Sequence, residues 1–103
     1  MNGDTTTEKE GFTVELRLFA NFREAVGSKT IERSFTGTEI RVGEVLKALE
    51  EEYPDLSFFD DEGAIREYIS ILKNGNDIVH LEGKDTLLEA GDRLSLFPPV
   101  AGG

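Results

Sequence analysis

The 103-residue chain has no cysteine, no tryptophan and a single histidine, His80. The absence of cysteine excludes disulfide bonds, thiolate metal sites and a cysteine nucleophile, and it is typical of a cytoplasmic protein. One histidine cannot by itself anchor a transition-metal site of the usual composition. The acidic run 60–62 lacks the alternating ligand spacing of a calcium loop. We therefore expect neither a metal site nor a bound cofactor.

Long apolar runs and nucleotide-binding motifs are also missing. No run approaches the roughly 20 apolar residues of a membrane-spanning helix. The sequence contains neither GxGxxG nor GxxxxGK, the glycine-rich patterns that cradle phosphates. No pair of side chains indicates a general acid and base. We therefore predict that the protein has no catalytic residue. It is expected to be a substrate or carrier on which enzymes act.

Positive charge is scarce, and the formal net charge is −10. Nucleic acids and anionic membranes would repel such a chain, so we predict no partner of either kind. The carboxylates are spread along the sequence rather than clustered. This distribution favours adaptation to high salt, as in a halophilic protein, because 1 M salt screens charges over about 3 Å.

The apolar residues are spaced periodically and predict one domain, residues 12–97, after a polar and disordered leader, residues 1–11. A stripe at helical spacing predicts a helix from Val42 to Tyr53, which Pro54 ends. Residues 21–27 read as a short helical turn, and residues 86–91 as a turn. Alternating or β-rich segments predict strands at 12–18, 29–35, 68–73, 77–80 and 93–97.

The order of these elements indicates the fold class. A hairpin is followed by a helix, two short strands joined by the Asn74-Gly75 turn, and a final strand. This order predicts an α+β roll of the ubiquitin type, with a mixed sheet and one main helix packed across one face. In the acidic loop 54–63, Leu56 and one of Phe58 and Phe59 are expected to point inward.

The sequence ends with an apolar strand that leads into two prolines and two final glycines. The prolines stiffen the segment, and the glycines leave the terminal carboxylate unshielded. The pattern predicts a flexible tail, with Gly103 as the group that another protein activates and transfers. The alternative is a frayed end that happens to be rich in glycine. The tail residues before Gly103 are Pro98, Pro99, Val100, Ala101 and Gly102.

Strand parity predicts a docking surface beside the tail. The leucines of the first and last strands face the helix, so Phe19 and Phe97 point to the opposite face. If these strands are parallel neighbours, the two rings lie close together, and Ile78 after the hairpin turn could join them. An exposed aromatic pair marks a partner-docking patch. The alternative is that loops cover one or both rings.

Residues 12–103 resemble the small subunit of molybdopterin synthase, related sulfur carriers and, above all, the small archaeal modifier proteins. Ala101 departs from them, since many relatives have serine or threonine there. The segments that carry the resemblance are Leu18-Phe19-Ala20-Asn21-Phe22-Arg23-Glu24 followed by Gly27, the helix from Val42, Lys73-Asn74-Gly75, Gly91-Asp92, and Phe97 to Gly103.

The resemblance implies a β-grasp protein that binds no cofactor and is a monomer when free. An E1-like enzyme would use ATP to adenylate the Gly103 carboxylate. The adenylate would then be converted to a thiocarboxylate or linked through an isopeptide bond to a lysine of a target protein. Further implied partners are the large subunit of molybdopterin synthase and tRNA-thiolation enzymes.

Three functions therefore stay open at this point. One is protein modification, and another is sulfur delivery for molybdenum cofactor or thiolated tRNA. A dedicated subunit of molybdopterin synthase is one form of the second. The third is a plain interaction domain with a fortuitous tail. The sequence does not separate the first two, because both need the same activated glycine.

Overall fold

The computed structural model describes residues 11–99. The predicted leader lies outside this range except for Gly11, which begins the first strand, and so do residues 100–103 of the predicted tail. The strands and α-helices are β1 (Gly11–Leu18), α1 (Ala20–Val26), β2 (Thr30–Thr36), β3 (Glu39–Arg41), α2 (Val42–Glu52), β4 (Ser70–Lys73), β5 (Asn76–Asp77), β6 (Leu87–Glu89) and β7 (Arg93–Phe97).

The main sheet has five strands in the order β2-β1-β7-β4-β5. β1 and β7 run parallel at its centre, with Leu16 opposite Leu94, and the other neighbours are antiparallel. β3 and β6 form a separate two-stranded sheet. This arrangement confirms the predicted α+β, ubiquitin-like β-grasp fold.

The core lies between α2 and one face of the main sheet. The buried stripe of α2 consists of Val42, Val45, Leu46 and Leu49, as its helical spacing predicts. Leu56 and Phe58 close the core from the loop after α2, with exposed fractions of 3% and 0%, while Phe59 stays half-buried. Each large side chain buried in this way contributes about 1.5–3 kcal/mol to folding.

The last turn of α2 carries three consecutive glutamates, Glu50 to Glu52, which oppose the helix dipole. The structure shows what holds them. The Glu50 carboxylate accepts a hydrogen bond from the backbone N–H of Phe58 at 2.7 Å. Arg33 Nε on β2 donates to Glu52 at 2.8 Å, and this bond holds the pKa of Glu52 below its usual value. The loop and the strand thus offset the unfavourable helix end.

Two parts of the strand prediction are wrong. The predicted strand 77–80 ends at Asp77, because the Asp77 carboxylate accepts from the Val79 N–H at 2.9 Å and caps a 3-10 turn, Ile78–His80. The predicted turn 86–91 contains β6, which pairs with β3. β3 and β6 have three residues each, too few for a visible alternation.

Candidate functional site

The face of β1, β7 and β4 that points away from α2 is called the outward face here. Phe19 and Phe97 stack on it, with ring centroids 4.1 Å apart and ring planes 13° from parallel. The register of the parallel pair explains this contact, because Leu18 lies opposite Leu96 and the next residue of each strand turns outward. Both phenylalanines are half-buried, so loops do not cover them completely.

Ile78 does not join this pair, and that prediction is wrong. Its side chain is only 4% exposed and belongs to the core. The 3-10 turn that follows Asp77 breaks the strand alternation and turns Ile78 inward. Leu72 on β4 lies on the outward face instead, because it pairs with Ser95 and alternates with the buried Ile71. The alternation within β4 was the sequence signal for it.

The turn between β1 and α1 places Arg23 over the aromatic pair. Ala20, at the start of α1, has φ 52°, a left-handed conformation that is uncommon for alanine. The guanidinium carbon of Arg23 lies 5.9 Å from the centroid of the Phe19 ring. Arg23 Nε donates to the backbone oxygen of Leu18 at 3.3 Å. The cation therefore lies over the Phe19 ring, which in turn stacks on Phe97.

Further along the outward face, one carboxylate holds two arginines. Glu15 accepts from Arg17 Nε at 2.9 Å and lies 3.4 Å from Arg93 Nε. The hydrogen bond from Arg17 is the main cause that lowers the pKa of Glu15, and the charge of Arg93 adds to it. Glu15 is therefore ionised at neutral pH, and its single negative charge offsets half of the formal positive charge of Arg17 and Arg93.

The origin of the tail is fixed by packing. Pro98 is buried and Pro99 is exposed. Both line a groove of about 670 Å³ between α1 and the segment 55–69, with Phe22 and Ile69 among its other walls. The chain therefore leaves the sheet beside Phe97 along a defined path. Val100, Ala101, Gly102 and Gly103 lie outside the described residues, and their predicted roles stay predictions.

Residues 11–99 contain no group of three or more histidine or carboxylate side chains that could hold a metal ion. Within the same range, no helix is both long and apolar enough to cross a membrane. His80 lies exposed in the 3-10 turn after β5.

Comparison with known proteins places the chain in a family. Residues 16–103 match the model of the ThiS family. Small archaeal modifier protein 3 of Haloferax volcanii is 46% identical over 91 residues, which are 87% of this chain and 98% of that protein. Small archaeal modifier protein 1 of the same organism is 38% identical over 92 residues, 87% of this chain and 100% of that protein.

Comparison with a solved structure also shows similarity to a small archaeal modifier protein. The crystal structure of SAMP1 from Haloferax volcanii superposes with a TM-score of 0.74 at 35% identity, over 88% of this chain and 99% of that one. Its fold is the β-grasp described above. The chain belongs to the ThiS family of small modifier and sulfur carrier proteins, which are substrates of enzymes rather than catalysts.

Proposed function

We propose that this protein is a ubiquitin-like modifier and sulfur carrier whose Gly103 carboxylate is adenylated by an E1-like enzyme. The observation that carries the proposal is the stacked, half-exposed pair of Phe19 and Phe97 at the point where the chain leaves the sheet. An apolar surface that an enzyme can bind thus lies next to Pro98, where the C-terminal tail begins. The similarity to small archaeal modifier proteins over most of the chain supports it further.

The chemistry explains why such a partner is needed. A carboxylate is a poor acyl donor, because its oxygen is a poor leaving group. When a Gly103 oxygen attacks the α-phosphorus of ATP, pyrophosphate leaves and an acyl-adenylate forms. AMP then becomes the leaving group in the next step. A lysine ε-amine that attacks the carbonyl forms an amide and loses a proton, whereas a sulfur nucleophile supplied by a partner forms a thioester or thiocarboxylate.

The length and residue types of the tail suit this reaction. Residues 98–103 can span at most about 20 Å, enough to enter an active site beyond the body of the domain. Pro98 is buried, so the starting point of the tail is fixed. The glycines at its end carry no side chain that would block a narrow channel or crowd the reacting carbonyl.

Phe19 and Phe97, with Leu72 on the same face of the sheet, form the docking patch for the activating enzyme. Stacked aromatic rings supply large contact areas, and aromatic residues are frequent among the side chains that dominate binding energies. The same surface is available for the large subunit of molybdopterin synthase or a tRNA-thiolation enzyme. In this proposal the outward face binds the partner, and the adjoining tail carries the carboxylate that is activated.

The central test removes Gly102 and Gly103. The truncated protein should keep its thermal unfolding midpoint, because both residues lie beyond β7. It should support no ATP–pyrophosphate exchange with the activating enzyme of the same host. Full-length protein is the control for activity, and circular dichroism is the control for folding. Exchange at the full-length rate after truncation would contradict the proposed role of the carboxylate.

A second measurement separates modification from sulfur delivery, since both use the same adenylate. Intact-mass analysis of protein purified from its host detects replacement of one oxygen by sulfur at the C-terminus, the product expected of a carrier. Trypsin digestion of host proteins detects Gly-Gly remnants on lysines, the product expected of a modifier. We expect both products. Neither product would favour a plain interaction domain.

A further inference from the structure

We propose that Arg23 is the recognition residue that selects a partner carrying a carboxylate at the edge of an apolar socket. This inference rests on the proposed docking role of the outward face and adds the chemistry of the partner. The aromatic pair would enter the socket, and the guanidinium would meet an aspartate or glutamate at its rim. The contact would set the orientation in which the partner receives the tail.

The first argument is that Arg23 is held in place before any partner binds. Its guanidinium lies 5.9 Å above Phe19, and its Nε donates to Leu18 O at 3.3 Å. A planar guanidinium fixed by stacking and one hydrogen bond loses less conformational freedom on binding than a free lysine would. This arrangement leaves the two Nη groups as the donors available for recognition.

The second argument is that Arg23 has no carboxylate of its own among residues 11–99, although the net charge of the chain is −10. Its Nη groups also make no hydrogen bond with any side chain or backbone group in that range. Arg66 makes no ion pair within 4.0 Å there either, but its charge helps to lower the pKa of Asp60, and it donates to Ser57 in the groove. The other arginines each lie no more than 3.8 Å from a carboxylate oxygen: Arg17, Arg33, Arg41 and Arg93.

The third argument concerns the class of anion. Two parallel Nη donors match the two oxygens of a carboxylate or a phosphate. The nucleotide phosphate reacts at Gly103, and the length of residues 98–103 would allow that carboxylate to lie up to about 20 Å from the end of β7. Arg23 sits at the near end of that distance, beside Phe19. A protein carboxylate on the docked enzyme is therefore the anion that this position fits.

Such a contact gives specificity because of the surrounding charge. Most of this protein attracts basic surfaces, and that attraction alone does not fix an orientation. An acidic side chain at one point of an otherwise apolar or basic partner surface is repelled by most of the chain and accepted at Arg23. Charge complementarity of this kind sets register and excludes wrong partners.

The test measures the affinity of full-length protein for the E1-like enzyme of its host, with Arg23→Gln, Arg23→Lys and Phe97→Ala. Arg41→Gln is the matched control, because it removes the same charge from an arginine that already pairs with Asp85. We expect Arg23→Gln to weaken binding about 10-fold or more, the range for a lost charged hydrogen bond. Arg23→Lys should lose less, and Arg41→Gln should stay within about twofold.

The salt dependence of the affinity distinguishes a charge contact made by Arg23 from a purely structural role of this residue. The affinity of the wild type should fall as salt rises, over a range where circular dichroism shows all variants folded. Arg23→Gln should flatten this dependence, and Arg41→Gln should not.

The outcomes separate the two proposals. If Phe97→Ala weakens binding and Arg23→Gln does not, the role of Arg23 is overturned and the docking patch stands. If neither variant changes the affinity, the docking patch itself fails. If Arg23→Gln raises the KM for ATP while the affinity for the enzyme is unchanged, Arg23 contacts the nucleotide and the carboxylate proposal is overturned.

Discussion

The two faces of the central strands β1 and β7 carry different kinds of apolar side chain. On the face toward α2, all four leucines of these strands are 0% exposed. At the end of the outward face, Phe19 and Phe97 are half-buried and stack on each other instead of entering the core. The same alternation of residues thus supplies folding stability on one side and an accessible contact surface on the other.

Leu96 and Phe97 make this comparison testable, because they are adjacent in sequence and point to opposite faces. Leu96 pairs with Leu18 on one side and Ile71 on the other, within the core. Phe97 is followed directly by Pro98, where the tail begins. Variants at these two positions should therefore differ in kind, one affecting folding and the other affecting binding.

The largest expected effect is on stability. Leu96→Ala should reduce the free energy of unfolding by about 2–5 kcal/mol, because it opens a cavity in a fully buried site. Phe97→Ala should cost clearly less than the roughly 3–5 kcal/mol typical of a buried phenylalanine. Urea unfolding of both variants measures the difference. Equal losses would show that the two faces do not differ in the way described.

The next effect is on partner affinity. Phe97→Ala and Phe19→Ala should each weaken the complex with the activating enzyme about 30-fold or more, since dominant interface residues cost at least about 2 kcal/mol when truncated. Titration calorimetry with the purified enzyme measures it. A large stability loss combined with unchanged affinity would assign these rings to the core.

The sequence predicted the elements with long, regular patterns. The alternation in β1 and the helical stripe of α2 gave nearly correct bounds, and the Asn74-Gly75 turn lies where predicted, with φ values of 50° and 90°. The contact between Phe19 and Phe97 was also predictable. It follows from strand parity together with a parallel β1–β7 pair, and both are properties of the backbone.

The rest depended on tertiary contacts that short segments do not encode. β3 and β6 are three residues long and are stabilised by each other across a wide separation in sequence. Ile78 was misplaced because the Asp77 side chain caps a turn where a strand was expected. Arg23 belongs to the segment that carries the family resemblance, but the sequence assigned no role to it. Its position over Phe19 depends on the left-handed turn at Ala20.

A smaller effect should separate Leu72 from Ile78. Leu72→Ala on the outward face should weaken enzyme binding about fivefold, which corresponds to roughly 1 kcal/mol. Ile78→Ala should leave the affinity of the folded protein unchanged, because its side chain is in the core. Affinities measured on folded fractions of both variants test this. The reverse order would restore Ile78 to the patch and remove Leu72 from it.

The smallest effect concerns a carboxylate on the side of α2. The hydrogen bond from Arg33 lowers the pKa of Glu52 in the folded state. Its stabilising contribution is therefore fully present above the ordinary glutamate pKa of about 4.3 and is lost as the pH falls through the lowered value. Because both side chains are partly exposed, Glu52→Gln should cost only about 0.5 kcal/mol at pH 7.

The difference between Glu52→Gln and wild type should shrink as the pH is lowered below about 4, because the wild-type carboxylate then becomes neutral as well. Urea unfolding at a series of pH values measures this convergence. Glu51→Gln is the control, since that exposed residue makes no ion pair within residues 11–99. Glu52→Gln should also leave enzyme affinity unchanged, because Glu52 lies away from the outward face. A constant stability difference at all pH values would show that Arg33 does not hold the ionised form of Glu52.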